Sequence, residues 1–156
     1  MPSDAPDKAQ VIALPPLIVA VTLAVGLLVH FVWPLGFLDR ADAMWLGLAL
    51  IAASIPIALG AAWRLVKAKT AFDVRKPTTE IVTTGVFGIS RNPTYLSMML
   101  GFLGIASLVD SIWILLLALP LAAILQKGVI EPEEHYLEQK FGEKYLRYKA
   151  RVRRWI

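Results

Sequence analysis

Arg91, Tyr95, Glu131 and Glu134 are the residues of this chain whose types and spacing can do chemistry on a small charged ligand. The stretch Thr84-Gly85-Val86-Phe87-Gly88-Ile89-Ser90-Arg91-Asn92-Pro93-Thr94-Tyr95 gathers turn-forming, polar and aromatic residues between a basic loop and an apolar helix. Asn92-Pro93 reads as a helix start, because Asn caps well and Pro suits the first helical position. Such an end presents free amide donors and the positive pole of the helix dipole, with the Arg91 guanidinium adjacent, so a ligand carboxylate is well placed there. Tyr95, in the first turn, can hydrogen-bond or stack on the same ligand. Each residue also has a plainer role: Asn92 and Pro93 as a helix start only, Arg91 on lipid phosphate, and Tyr95 as an interfacial anchor.

Glu131 and Glu134 are three apart and share a helical face. Glu133 is expected to point to solvent. Acids opening a helix suit its dipole without further purpose, yet carboxylates at a membrane surface also accept bonds from hydroxyls or an α-amino group and stabilise a sulfonium cation. Cysteine is absent, which excludes a thiol nucleophile, disulfides and thiolate metal sites. With only His30 and His135 besides, no metal centre is expected.

The elements that must position these residues are apolar. The chain has 156 residues, 57% of them hydrophobic, concentrated in runs that suit lipid better than a water-soluble core. The hydropathy predicts an all-α membrane bundle of four spans, at about Val11–Trp33, Ala43–Val66, Pro93–Leu108 and Ile112–Ile130. The last two are joined so tightly by Val109-Asp110-Ser111 that they form a helical hairpin. Residues 1–10 read as a disordered tail and 11–156 as one domain, and no cleaved signal is expected. From Glu131 onward the chain is charged. Leu137, Phe141, Tyr145, Tyr148 and Val152 recur at helical spacing, which predicts one amphipathic tail helix over 131–156 lying along the interface, with Arg151, Arg153 and Arg154 toward anionic lipid. The net charge of +4 comes from residues flanking the apolar runs, so it argues for membrane topology and against a nucleic-acid partner. That asymmetry places both termini and the long loop in the cytoplasm, where the two motifs meet.

Thr84 to Tyr95, taken with Glu131-Pro132-Glu133-Glu134 and Phe141-Gly142-Glu143-Lys144-Tyr145-Leu146-Arg147-Tyr148, resembles the signature of the membrane-embedded phospholipid and isoprenylcysteine carboxyl methyltransferase family. The resemblance covers about Thr84 to Ile156. It implies S-adenosylmethionine as cofactor, bound by Gly85, Phe87, Arg91, Asn92, Tyr95, Glu131 and Glu134, with Arg91 and Glu134 also catalytic. It further implies a lipophilic acceptor reaching the cytoplasmic face of a bacterial inner membrane through lipid. Asn92 stands where the eukaryotic carboxyl methyltransferases have His, so their substrate does not carry over. In-line methyl transfer to an ionised or lone-pair acceptor needs alignment and exclusion of water more than a strong base. Two other expectations stay open: a nicotinamide-dependent reductase-like member of the same broad fold, and a non-catalytic membrane anchor.

Overall fold

The computed structural model describes residues 8–70 and 77–156, so Arg75 and Lys76 of the long loop and residues 1–7 of the expected tail lie outside it. The described residues form helices and connections with no strand: α1 (Pro15–Val32), α2 (Arg40–Lys67), a 3₁₀ turn (Gly85–Gly88), α3 (Pro93–Leu108), α4 (Ile112–Leu125), a π-turn (Gln126–Ile130), α5 (Glu131–Phe141) and α6 (Glu143–Arg151). Three stretches are long and apolar enough to cross a membrane: α1 with 18 residues, α2 with 28, and the continuous run Ile112–Phe141 with 30. The apolar part of that run ends at Ile130, just before the acidic turn. α3 has 16 residues and falls short of that length.

α3 lies at the centre, packed between α2 and α4, with α1 against α4 and also touching α3. Small residues set the α2–α3 spacing. A Cβ on Gly104 would come within 2.7 Å of Ile51 Cγ1, and one on Gly47 within 2.8 Å of the Gly104 carbonyl oxygen, so the two backbones approach closely. Phe102, Ala106, Ile114, Leu121, Leu125, Val129 and Ile130 fill the buried seam between α3 and α4. The outer faces, including Val21, Leu28, Trp45, Leu59 and Leu119, are exposed and apolar, as lipid contact requires.

The ends of the bundle differ in chemistry. At one end Asp110, at φ 49°, closes the α3–α4 turn. Its carboxylate accepts from the backbone amides of Phe37 at 2.9 Å and Leu38 at 3.2 Å, tying this turn to the α1–α2 loop. Trp113 donates its indole N–H to the Trp33 carbonyl at 2.6 Å on the same side. The basic loops and the tail gather at the opposite end.

Two features there depart from the expected outline. No helix begins at Glu131, because α4 runs through the π-turn into α5 without a break. The π-turn widens one turn, and Pro132, lacking an amide hydrogen, leaves the Gly128 carbonyl without its helical partner. Ile12 N–H takes that carbonyl at 3.1 Å. Its side chain lies so close that a Cβ on Gly128 would meet Ile12 Cδ1 at 2.4 Å. The segment before α1 is thereby fastened to the helix break, and Ala9, assigned to a disordered tail, is buried.

The tail is also not one helix. Gly142, at φ 51° and ψ −127°, separates α5 from α6 and reverses the chain. The expected apolar stripe does exist, but it faces inward: Tyr145 and Tyr148 are buried with Ile81, and Leu137, Phe141 and Val152 pack around them.

Candidate functional site

A cavity of about 280 Å³ lies where these pieces converge, near the small end of the range for ligand pockets. Its walls come from five places: Leu14-Pro15-Pro16 ahead of and opening α1, Leu65 of α2, the loop through Thr78 to Phe87, the start of α3 from Arg91 to Met98, and Glu133, Glu134, Leu137, Tyr145 and Tyr148 of the last two helices. Two sequence motifs some forty residues apart (Arg91 and Glu134 are separated by 43 positions) thus share one wall.

Arg91 is the hub of that wall. Its side chain is 8% exposed. Nη2 donates to Glu134 Oε1 at 2.8 Å, and Nη1 donates to the carbonyls of Lys149 at 3.0 Å and Val152 at 3.1 Å. Its Nε is buried without a hydrogen-bond partner among the described residues. Arg154 completes the arrangement, donating from Nη2 to Glu134 Oε2 at 2.8 Å and from Nε to Oε1 at 3.2 Å. Burial alone would raise the Glu134 pKa, but hydrogen bonds from Arg154 and Arg91 outweigh it and hold the carboxyl below its ordinary value. Glu134 is therefore a fixed anion neutralised by two guanidinium groups.

The C-terminal segment after α6 is laced to the start of α3. Arg91 N–H donates to the Arg153 carbonyl at 3.0 Å, and the Ser90 hydroxyl and Asn92 Nδ2 both donate to the Arg154 carbonyl, at 3.2 and 3.1 Å. Trp155 Nε1 bonds Gln126 Oε1 at 3.2 Å, closing the strap onto the π-turn. Asn92 consequently does not use its side chain as a helix cap. In the first turn of α3 Pro93 has no N–H and Leu96 N–H donates to the Asn92 carbonyl, so the Thr94 and Tyr95 amides are the ones without a capping side chain among the described residues, and both residues border the cavity.

Phe87, Arg91, Asn92, Tyr95 and Glu134 all border the cavity; Gly85 and Glu131 do not. Gly85, at φ 66°, is covered by Arg64, whose Nε would lie 2.6 Å from an added Cβ, so its close approach is to that guanidinium. Arg64 also donates to Thr84 Oγ1 at 2.9 Å, bracing the 3₁₀ turn from α2. Tyr148 braces the same turn from the other side, donating its hydroxyl to the Phe87 carbonyl at 2.7 Å. Glu131 is exposed and reaches Arg154 Nη1 at 3.3 Å, sharing that arginine with Glu134 as two acids on one helical face do.

Glu133, expected toward solvent, instead borders the cavity and accepts the Tyr95 hydroxyl on Oε2 at 2.7 Å. Burial is the main cause that raises its pKa to about 7; the Tyr95 hydrogen bond opposes the rise and the Glu134 charge adds to it. The sequence signal was present in the pairing of Glu133 with Glu134. It was misread because a helix starting at Glu131 with ordinary solvation was assumed, whereas the tail folds back over this turn. Tyr145 and Tyr148 were placed on a lipid-facing stripe for the same reason. Burial raises both phenols' pKa values. Glu80 on the loop also borders the cavity.

A membrane helical bundle with a partly charged cavity at its basic end is the class defined by fold and site. The chain belongs to the phospholipid methyltransferase family, whose model matches residues 43–144. It is also similar to the nickel-cobalt-cadmium resistance protein NccN of Alcaligenes xylosoxydans xylosoxydans, with 31% identity over 68 residues, 44% of this chain and 32% of that protein. An uncharacterized protein of Haemophilus influenzae is 52% identical over 33 residues, 21% of this chain and 52% of that protein. The chain thus covers about a third and about a half of the lengths of these relatives. No solved structure matches it.

Proposed function

We propose that the protein is an integral membrane methyltransferase that uses S-adenosylmethionine and acts on a lipophilic acceptor at the cytoplasmic face. The observation that carries this reading is the single cavity uniting Arg91, Asn92, Tyr95 and Glu134 in a chain of this family. The donor set fits the cofactor. The free first-turn amides of α3 suit its carboxylate. The acidic Glu80 suits an ammonium, and Phe87, Tyr145 and Tyr148 offer aromatic surface for a purine. When bound, the cofactor supplies an electrophilic methyl group on a sulfonium sulfur.

The protein's residues orient and enclose. Arg91 and Glu134 act by fixing the C-terminal strap, the start of α3 and the acidic turn relative to one another. Tyr145, Tyr148 and Leu137 keep water out on the side of the tail. Leu14, Pro15, Pro16, Leu65 and Met98 form the apolar side, where α1 and α2 flank α3. A lipid tail entering there from the bilayer meets only apolar groups. Gly85 and Glu131 support this site at one remove, through Arg64 and Arg154.

Four crossings follow if α3, at ~24 Å of helix, spans with the help of α2 and α4 packed along it. Both termini and the loop after α2 then lie in the cytoplasm, and α6 rests at that surface of a bacterial inner membrane. Isothermal titration of the purified protein with S-adenosylhomocysteine tests the reading. Saturable binding that Phe87→Ala weakens supports it, and absence of binding at millimolar ligand refutes it.

A further inference from the structure

Among the described residues four charged side chains line the cavity, Glu80, Arg91, Glu133 and Glu134, and their bonding leaves them with unequal roles. Arg91 and Glu134 neutralise each other with Arg154. Glu133 has no cationic partner among the described residues. Tyr95, 5% exposed, holds its Oε2, and Oε1 takes no hydrogen bond from any described residue. A carboxylate is thus aimed and fixed at a cavity wall with one oxygen uncommitted. Among the described residues the one cation in that wall, Arg91, is already spent on Glu134 and two carbonyls.

Resting on the methyl-transfer reading above, we propose that Glu133, positioned by Tyr95, is the proton acceptor of the reaction, and that the acceptor substrate is a nucleophile carrying an exchangeable proton on nitrogen or sulfur. The step balances. The lone pair of X forms the new C–X bond as the methyl–sulfur bond breaks, and that bonding pair returns to sulfur as a neutral thioether. The proton of X–H passes to Glu133 Oε1 and later to water. A carboxylate acceptor needs no such base, and it would enter a wall where Glu133 and Glu80 carry unpaired negative charge.

The charged and titratable groups facing Glu133 are Tyr95 from α3, Arg91 before it, Glu134 beside it, Glu80 from the loop, and Tyr145 and Tyr148 from α6. None of them except Arg91 is cationic, and Arg91 is turned to Glu134. The raised pKa of about 7 agrees with this geometry, since a base poised near the working pH transfers protons most effectively.

The test uses the purified full chain in nanodiscs with methyl-labelled S-adenosylmethionine and three probes of equal chain length: dodecylamine, dodecanethiol and dodecanoate. Wild type is expected to methylate the amine or the thiol and not dodecanoate. Glu133→Gln is expected to bind S-adenosylhomocysteine within about twofold of wild type, while transfer falls ~100-fold or more, the usual size of a lost general base. Without any ligand, infrared titration should show a protonated-carboxyl band disappearing near pH 7 in wild type and missing in Glu133→Gln. Tyr95→Phe should shift that titration upward, because it removes the bond that favours the ionised form. A tenfold loss of S-adenosylhomocysteine binding in Glu133→Gln would make Glu133 a cofactor ligand and overturn the proposal. So would dodecanoate as the preferred probe, or wild-type rates in Glu133→Gln. A wild-type protein that binds no S-adenosylhomocysteine refutes the methyl-transfer reading and this proposal with it, whereas binding retained alongside a fully active Glu133→Gln refutes the proposal alone.

Discussion

Replacing Glu134 by Gln should loosen the protein as well as its site, and the structure indicates by how much. The carboxylate accepts three charge-assisted bonds, at 2.8, 2.8 and 3.2 Å. Its loss leaves two guanidinium groups in unequal situations. Arg154 is 30% exposed and can turn to water or to Glu131; Arg91 is 8% exposed and cannot. Removing one partner of a buried pair costs about 3–5 kcal/mol. Since one arginine recovers solvation, the lower end applies, about 3 kcal/mol. A double-mutant cycle on Arg91→Met and Glu134→Gln, read by thermal unfolding in detergent at several pH values, isolates the pair. A coupling of about 2 kcal/mol or more is expected for Arg91–Glu134, and under 1 kcal/mol for the exposed Arg154–Glu131 pair. Because the folded-state pKa of Glu134 is depressed, its stabilising contribution is complete above the ordinary carboxylate pKa and is lost as pH falls below it. The coupling should therefore fade in acid. A coupling below 0.5 kcal/mol near neutrality, or one that grows on acidification, would refute the reasoning, and the strap would have to be held by its backbone bonds alone.

Other outcomes follow from single features. Glu133 has a raised pKa, so the folded state binds its proton more tightly than the unfolded chain, and stability is lost between about pH 4.5 and 7 as the carboxyl ionises. Glu133→Gln should accordingly raise the melting temperature at pH 8 and leave it unchanged at pH 4; equal effects at both would place the carboxyl in water. Gly142→Ala should cost about 1–3 kcal/mol through its backbone conformation alone, since nothing lies within 4 Å of the added Cβ. A neutral result in thermal unfolding would mean the α5–α6 corner relaxes freely. Gly104→Val should disrupt α2–α3 packing, because a Cβ there already meets Ile51 at 2.7 Å. The expected reading is a loss of ~1–3 kcal/mol and a higher protease sensitivity of the loop after α2. Wild-type stability would show that α2 shifts to accommodate it.

The bundle was legible because lipid imposes simple rules. Apolar runs, their flanking charge and the three-residue Val109–Ser111 link fix an antiparallel helical order whatever the fine packing. The helix start at Pro93 was legible too, since Asn-Pro has few other uses. What failed was local reasoning about residues 126–156. The acids from Glu131 suit the opening of a helix, but Pro132 sits inside a continuous one because the backbone N–H of Ile12 takes the carbonyl it frees. An apolar stripe was read as facing lipid, but periodicity says only that one face is buried and not against what. Ile81, a loop residue distant in sequence, supplies the surface. Asn92 is named by its neighbours as a cap, yet the strap carbonyl of Arg154 competes for its amide and wins. In each case a non-local partner decided the matter, and none was visible from spacing.

The division of the cavity wall also bears on how one family could serve different acceptors. Every charged lining residue (Glu80, Arg91, Glu133 and Glu134) falls within the segment that matches the family model, residues 43–144. The lining residues beyond it are Leu14, Pro15, Pro16, Tyr145 and Tyr148, which carry no formal charge. The first three lie beside the backbone bond from Ile12 to the carbonyl that Pro132 leaves free, and the two tyrosines on the helix that follows the break at Gly142. Changes in the segment before α1 can reshape the apolar side of the cavity without touching the charged wall, whereas α6 is tied to that wall through the Arg91 bonds to the Lys149 and Val152 carbonyls. A site divided in this way keeps the electrostatics of the charged wall constant while the width and polarity of the apolar side vary. The physical reason is that fixed charges must be matched atom by atom, whereas an apolar wall needs only volume and shape.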